Sequence, residues 1–200
     1  EIRLWQKFIT FLHLIVPMEN ILNTNAAKLK IEGHRGGKLD YDNTFSAFDK
    51  AVENGLESIE FDTWLTSDKI LVVLHGGENG EIEHDIPEFG ISKDTHINKI
   101  SLEQIKSIVL PNGDFIPTLE EVIGEFYGKI KLNCEVKDEQ EELSQILLDL
   151  LINNDVKGIC PTNIREGFVV SSFNVKQLEN LNELLRVTKE YDATILFGAC

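Results

Sequence analysis

Apolar, β-rich runs alternate along the chain with segments of helical periodicity, and this alternation limits the folds that the chain can adopt. The predicted strands cover residues 28–33, 56–62, 69–75, 129–136, 168–172 and 194–197, with 158–160 as an optional seventh. Predicted helices at 43–54, 101–107, 118–127, 139–151 and 174–185 lie between them. Strands that alternate with helices are typical of βα units around a parallel sheet. The pattern therefore predicts an α/β protein.

The predicted strands number six, or seven with 158–160. A complete (β/α)₈ TIM barrel typically takes about 250 residues. This chain has 200 residues and stops at Cys200, directly after a predicted strand. We therefore expect residues 30–200 to form a (β/α)₈ TIM barrel that is truncated at its C-terminus. The stretch from Gly76 to Asp114 shows weak periodicity, and connections of this length usually have a function.

Residues 1–29 form a separate N-terminal segment in our interpretation, either a helix or a leader, or sequence that lies upstream of a start at Met18. The apolar run Leu4–Val16 is shorter than the roughly 20 residues that span a bilayer, so no stable membrane span is expected. The segment also lacks a clear small-residue cleavage site. We therefore favour the cytoplasm, with secretion or membrane association as the alternative if residues 1–17 are a leader.

The charge of the chain argues against a polynucleotide partner. There are 34 acidic and 19 basic side chains, for a net charge of -15, and such a charge repels nucleic acids and anionic membrane surfaces. An anionic phosphodiester substrate would need a bound divalent cation to reverse this field locally. Cys134, Cys160 and Cys200 are far apart and odd in number, which supports neither a zinc site nor a disulfide framework. The sequence does not specify an oligomeric state.

Four short polar stretches lie where predicted strands end: Gly33–Gly36, Glu60–Asp62, His75–Gly77 and Glu135–Lys137. In a parallel barrel the carboxyl ends of all strands open on one face. We therefore expect the polar side chains of these four stretches to converge there.

Three carboxylates in these stretches predict a metal site. Glu60 and Asp62 are two residues apart, so both point to the same side of their strand, and Glu135 is expected to meet them. Carboxylates this close repel one another unless a cation lies between them, and oxygen ligands select a hard ion. The predicted cofactor is one divalent cation, Mg²⁺ or Ca²⁺, held by Glu60, Asp62 and Glu135.

Two histidines and two basic residues complete the predicted site. His34 and His75 can act as acid and base because an unperturbed imidazole titrates near pH ~6.5. Arg35 would bind a phosphate through its fork of donors, and Lys137 would add a positive charge near the developing oxyanion. The other histidines lie in no motif and are interpreted as structural.

The order of these motifs resembles the glycerophosphodiester phosphodiesterase family of the phosphatidylinositol-phosphodiesterase-like TIM-barrel superfamily. The resemblance spans residues 30–198 and is carried by His34–Gly36, Asn43–Phe48, Gly55–Asp62, Leu65–Asp68, Val72–His75, Ile116–Val122, Cys134–Lys137 and Ser171–Asn174. It implies the same roles by position: His34 and His75 as the acid/base pair, Glu60, Asp62 and Glu135 as metal ligands, and Arg35 and Lys137 as phosphate contacts.

Two positions depart from the family pattern. The usual His-Asp is His75-Gly76 here, which removes a carboxylate that could orient the imidazole or a ligand. The usual Pro-Glu-Asn-Thr is Tyr41–Thr44, a milder change because an acid and the asparagine are kept.

The expected function is metal-dependent hydrolysis of a small-molecule glycerophosphodiester to glycerol 3-phosphate and an alcohol. A lipid-directed relative that acts like a lysophospholipase D is the enzyme alternative, and an exposed apolar rim near the Gly76–Asp114 loop would favour it. A barrel that binds phosphodiesters without cleaving them is the non-enzyme alternative, suggested by the missing carboxylate after His75.

Overall fold

The computed structural model describes residues 31–38, 40–156 and 167–187. The strands are β1 (Glu32–His34), β2 (Ser58–Leu65), β3 (Leu71–Val73), β4 (Lys131–Val136) and β5 (Phe168–Ser171). The α-helices are α1 (Phe45–Glu53), α2 (Leu102–Lys106), α3 (Leu119–Phe126), α4 (Leu143–Asn153) and α5 (Val175–Val187). The predicted elements at 1–29, 158–160 and 194–197 lie outside the described residues. None of the helices in the described ranges is long and apolar enough to cross a membrane.

Four strands form a parallel sheet in the order β1-β2-β4-β5. In its register Glu60 lies beside His34 on β1 and Asn133 on β4, and Asp62 lies beside Glu135. Since side chains alternate between the two faces of a strand, Glu60, Asp62 and Glu135 share one face. Phe61 points to the other face and is fully buried.

The third strand differs from the prediction. β3 pairs with β2 in the antiparallel direction, with Thr63 opposite Val73, so it is the return arm of a hairpin and not a strand of the parallel wall. The turn at 66–69 that closes the hairpin is as predicted, with the Lys69 N–H donating to the Thr66 carbonyl at 3.1 Å. β2 continues past Asp62 to Leu65, and β3 runs back in the opposite direction.

Helices α1, α3, α4 and α5 pack on the face of the sheet that carries Phe61. Thr44 caps α1 by accepting a hydrogen bond from the Ala47 N–H, a stabilising arrangement for the first turn. Phe48 on α1 packs edge-to-face on Phe126 of α3, with ring centroids 5.5 Å apart. It also contacts Phe61, with centroids 5.8 Å apart. Burying each of these rings contributes about 1.5–3 kcal/mol, so this cluster fixes β2 against the helices.

The weakly periodic region after β3 has a hydrophobic core of its own. Its regular structure is limited to α2 and two 3₁₀ turns, Pro87–Phe89 and Ile97–Lys99, connected by isolated bridges. The buried residues of this second core are Trp64, Val72, Leu74, Ile82, Ile86, Ile97, Ile100, Ile105, Ile108, Leu110 and Ile116. The region is therefore ordered, and it packs on the β2–β3 hairpin through Trp64, Val72 and Leu74.

Candidate active site

Three buried carboxylates meet on one face of the parallel sheet. Ligand oxygens of Glu60, Asp62 and Glu135 lie within 4.8 Å of one another, and the three residues are 7%, 0% and 7% exposed. The parallel pairing of β2 and β4 causes this proximity because it sets Asp62 directly beside Glu135. The structure thus brings these three residues together, as the sequence predicted.

The hydrogen bonding of the three carboxylates is incomplete. Within the described residues, Glu60 Oε1 has no hydrogen-bond partner, and Asp62 Oδ1 and Glu135 Oε1 share a single one, Lys137 Nζ, at 3.2 Å each. Burial, with a further contribution from the Asp62 charge, raises the pKa of Glu60 to about 7. A buried oxygen without a partner is unfavourable, and three carboxylates with oxygens within 4.8 Å of one another fit a hard divalent cation. The donor set therefore matches the predicted metal site.

Lys137 places one positive charge beside the three carboxylates. Its Nζ lies 3.2 Å from Asp62 Oδ1 and 3.2 Å from Glu135 Oε1. Burial alone would lower the pKa of Lys137, but the negative charges of Asp62 and Glu135 outweigh burial and raise it. The residue is therefore an ammonium ion at the edge of the carboxylate cluster, where an anionic substrate could contact it.

Arg35 is held in place by its backbone and by two carboxylates. The residue adopts a left-handed conformation, φ 53°, and its N–H donates to Glu60 Oε2 at 3.0 Å. The guanidinium Nε lies 3.3 Å from Asp62 Oδ2. Gly36 continues the turn at φ 91°, where a Cβ would stand 2.7 Å from the Cβ of Ala47. Glycine is thus required for the loop to approach α1 and to present Arg35 to the site.

The two predicted catalytic histidines lie in different environments. The side chain of His34 is 62% exposed, and its Nε2 is 3.8 Å from Glu60 Oε2. His75 is half-buried, and burial lowers its pKa, although the Asp62 carboxylate opposes the shift. The Trp64 indole N–H donates to the His75 carbonyl at 2.8 Å. His75 is reached by the antiparallel return of β3, not by the end of a parallel strand as predicted.

Gly76 occupies the place of the usual aspartate for a steric reason. Its φ is +69°, and a Cβ there would lie 3.0 Å from Trp64 Nε1 and 3.0 Å from Ile97 Cδ1. An L-residue would be strained by the backbone and crowded by both neighbours. A side chain at position 76, including the usual aspartate, would therefore disturb the packing of Trp64 in the second core.

Two cavities border the site and share His75 and Gly76. The smaller, about 380 Å³, contains Arg35 and Asn43, and the larger, about 780 Å³, contains Glu135 and Lys137. Glu83 lines both cavities. His84, which the sequence pattern led us to interpret as structural, lines the smaller one.

Sequence comparison places the chain among known proteins. A family model described as the glycerophosphoryl diester phosphodiesterase family matches residues 34–198. A protein of Caldanaerobacter subterraneus named glycerophosphodiester phosphodiesterase is 30% identical over 166 residues. That alignment covers 78% of this chain and 63% of the relative. A Bacillus subtilis relative is 30% identical over 165 residues, 77% of this chain and 61% of its own length.

Solved structures with the same fold also match the chain. A Galdieria sulphuraria protein assigned to the same class has a TM-score of 0.65 at 28% identity, covering 86% of this chain and 66% of its own. An Oleispira antarctica phosphodiesterase, solved with the product sn-glycerol-3-phosphate, has a TM-score of 0.63 at 22% identity, with the same coverages. The fold is that of an α/β TIM barrel.

The chain belongs to the glycerophosphoryl diester phosphodiesterase family. It spans 61–63% of the length of the two curated relatives named above.

Proposed function

We propose that the protein hydrolyses glycerophosphodiesters to sn-glycerol 3-phosphate and an alcohol, with the help of a divalent cation. One observation carries the proposal: three buried carboxylates lie within 4.8 Å of one another and are contacted by His34, Arg35 and Lys137, and His75 lines the same cavity as Glu135. Membership of the family supports it, as does the product complex of the Oleispira antarctica relative.

Glu60, Asp62 and Glu135 are the residues that would hold Mg²⁺ or Ca²⁺. Such an ion supplies positive charge that offsets the phosphoryl oxygens and stabilises the charge that develops on them. Arg35 and Lys137 would contact the phosphate from two sides. Arg35 Nε and Lys137 Nζ lie 3.3 Å and 3.2 Å from carboxylate oxygens of Asp62. Both side chains are therefore held in position before substrate binds.

The histidines would transfer two protons. His75 is assigned as the base because burial favours its neutral imidazole, which takes a proton from the attacking oxygen. His34 is assigned as the acid because of its position: its side chain is 62% exposed, and its Nε2 lies 3.8 Å from Glu60 Oε2. As the new P–O bond forms, the P–O bond to the alcohol breaks, and His34 donates a proton to the departing oxygen.

The attacking oxygen comes from water or from a free hydroxyl of the glycerol moiety. Attack by the hydroxyl produces a cyclic phosphate, which a second hydrolysis opens. Product analysis at short reaction times distinguishes the two routes, since direct attack by water gives no cyclic species.

The test is release of sn-glycerol 3-phosphate from glycerophosphocholine by the protein at its full natural length. The variants His34→Ala and His75→Ala should lose turnover, by about 10²-fold or more, while circular dichroism shows an unchanged fold. Normal turnover in either variant would remove that histidine from the mechanism. Binding without product from the unaltered protein would instead support the non-catalytic alternative.

A lipid substrate is the second candidate, and one observation favours it. Val109 and Phe115 face each other across a bridge and are 62% and 52% exposed, while the neighbouring Leu110 and Ile116 line the smaller cavity. This matches the apolar rim expected of a lysophospholipase D-like enzyme. Faster choline release from lysophosphatidylcholine than from glycerophosphocholine, lost in Phe115→Ser, would establish it.

A further inference from the structure

Trp64 lies beside the residues of the candidate active site but has no role in the proposed reaction. It follows Glu60 and Asp62 on the same face of β2, and it is 7% exposed. We propose that Trp64 is a positioning residue for His75, because it holds the His75 backbone and thereby keeps the imidazole in place for proton transfer. This inference rests on the proposed hydrolase function and adds a residue to the same site.

The hairpin ladder fixes the chain after β3 only as far as Leu74. The Leu74 N–H donates to the Asp62 carbonyl at 3.1 Å. Within the described residues, no backbone–backbone hydrogen bond involves His75 or Gly76. The sheet therefore does not fix the peptide unit that joins these two residues and carries the imidazole of the proposed base.

The Trp64 side chain holds that peptide unit instead. Its indole N–H donates to the His75 carbonyl at 2.8 Å. A Cβ at position 76 would lie 3.0 Å from the same indole nitrogen, so the ring is also close to the backbone of Gly76, which has φ +69°. The His75 imidazole in turn interacts with the Gly76 backbone. The position of the indole therefore influences the position of the imidazole.

The second core holds the indole in place. The Trp64 ring packs edge-to-face on His96, with ring centroids 5.7 Å apart, and the His96 Nδ1 accepts a hydrogen bond from the Asn98 N–H at 3.1 Å. Gly80 approaches so closely that a Cβ there would lie 2.6 Å from the Trp64 ring. The Gly80 carbonyl accepts from the Ile97 N–H at 2.8 Å. These contacts fix the indole donor before substrate binds.

The contact between Trp64 and the His75–Gly76 peptide compensates for a departure of this chain from the family pattern. With Gly76 in place of the usual aspartate, no carboxylate directly follows His75 to orient its ring. The glycine also leaves the space that the indole needs, since a Cβ would lie 3.0 Å from Trp64 Nε1. The indole thus supplies support that the missing carboxylate does not.

The test removes the indole donor and keeps an aromatic ring. In Trp64→Phe, kcat for glycerophosphocholine should fall about tenfold, because a displaced base transfers protons less effectively. KM should change by less than about twofold. Calorimetric titration with Mg²⁺ or Ca²⁺ should show unchanged metal affinity, since the indole donates to the His75 carbonyl and not to a carboxylate.

A second comparison, in the His75→Ala background, separates positioning from a general structural effect. If Trp64 acts through the imidazole, Trp64→Phe should lower kcat by less than about twofold once that imidazole is absent. Equal fold-losses in the two backgrounds would overturn the inference and leave the proposed function intact.

Ser101→Ala is the matched control for loss of a hydrogen bond in the second core. The Ser101 side chain accepts from the Gln104 N–H at the start of α2, and α2 adds Ile105 to that core. This variant should keep the kcat of the unaltered protein. If Trp64→Phe does not fold, benzothienylalanine at position 64 replaces the indole N–H by sulfur in a ring of nearly the same shape, and the same results are expected.

Nuclear magnetic resonance of protein with ¹⁵N-labelled histidine tests the contact without turnover. The His75 imidazole signals, assigned by their loss in His75→Ala, should shift in Trp64→Phe. The signals of His34 should not shift, because His34 is on β1. An unchanged His75 spectrum would overturn the inference. If the unaltered protein releases no product, the proposed function fails, and this spectrum alone decides whether Trp64 positions the ring.

Discussion

Asn43 and Asp62 are joined by two hydrogen bonds that run in opposite directions. The Asn43 side-chain Nδ2 donates to Asp62 Oδ2 at 3.0 Å, and the Asp62 N–H donates to Asn43 Oδ1 at 3.3 Å. Asn43 is 3% exposed and adopts φ 59°. This asparagine therefore orients the carboxylate that Arg35 and Lys137 also contact, although the sequence pattern assigned it no role.

We predict that Asn43→Ala lowers the free energy of unfolding by about 2–4 kcal/mol. The loss combines a buried hydrogen bond to a charged group with the left-handed backbone, which alanine tolerates poorly. Asn43→Gly is the matched variant, because glycine adopts this φ without strain. Urea denaturation should show the glycine variant to be the more stable by about 1 kcal/mol. Equal stability of the two would remove backbone strain from the explanation.

The raised pKa of Glu60 predicts an unusual dependence of stability on pH in the metal-free protein. Because its pKa is raised from 4.5 to about 7 in the folded state, the folded protein holds a proton that the unfolded chain releases. The free energy of unfolding should therefore fall as the pH rises from 4.5 to about 7. The change is at most about 3 kcal/mol, and solvent in the adjoining cavities reduces it.

Glu60→Gln isolates this contribution. The variant lacks the titrating group, so its metal-free form should lose less stability over the same pH interval and be the more stable form at pH above about 7. Addition of Mg²⁺ or Ca²⁺ should stabilise the unaltered protein there and have little effect on the variant. Parallel pH profiles of stability for the two metal-free proteins would show that the pKa of Glu60 is not raised in the folded state.

The pH dependence of turnover should reflect His75. Burial lowers its pKa, and a general base works only when neutral, so kcat/KM should fall as the pH drops through a value below the ordinary ~6.5. The measurement uses saturating metal, since protons also compete for the carboxylates. An acidic limb above the ordinary histidine value would contradict the assignment of His75 as the base.

Restoring the usual aspartate at position 76 should be harmful. We predict that Gly76→Asp destabilises the protein by about 1–3 kcal/mol and lowers turnover, because the new side chain crowds Trp64 and Ile97. Gly90→Asp is the control, since Gly90 has nearly the same backbone, φ +65°, and nothing within 4 Å of its Cβ position. The difference between the variants in thermal unfolding measures crowding alone, and no difference would contradict it.

Much of the fold follows from sequence periodicity. β1, β2, β4 and β5 overlap their predicted strands, and the parallel arrangement of these four strands was predicted correctly. The period of two also placed Glu60 and Asp62 on one face, where Glu135 joins them. These features follow from local patterns that repeat along the chain, and such patterns are visible without a structure.

Other features depend on contacts that the sequence does not display. The pattern of β3 is the same for either pairing direction, so its antiparallel return was missed. The second core is formed by isoleucines and leucines on turns and bridges, which have no single period. Glu83 and His84 line the cavities because the chain of the second core folds next to the site, and the two hydrogen bonds between Asn43 and Asp62 depend on the meeting of two distant segments.

The most direct measurement is the metal dependence of product release. Glycerophosphocholine is incubated with the protein at its full natural length, after treatment with EDTA and after Mg²⁺ or Ca²⁺ is restored, and sn-glycerol 3-phosphate is quantified. We predict that EDTA removes the activity, that one of the two ions restores it, and that Asp62→Asn remains inactive with either. Full activity of a protein shown by elemental analysis to be free of metal would contradict the role of Glu60, Asp62 and Glu135.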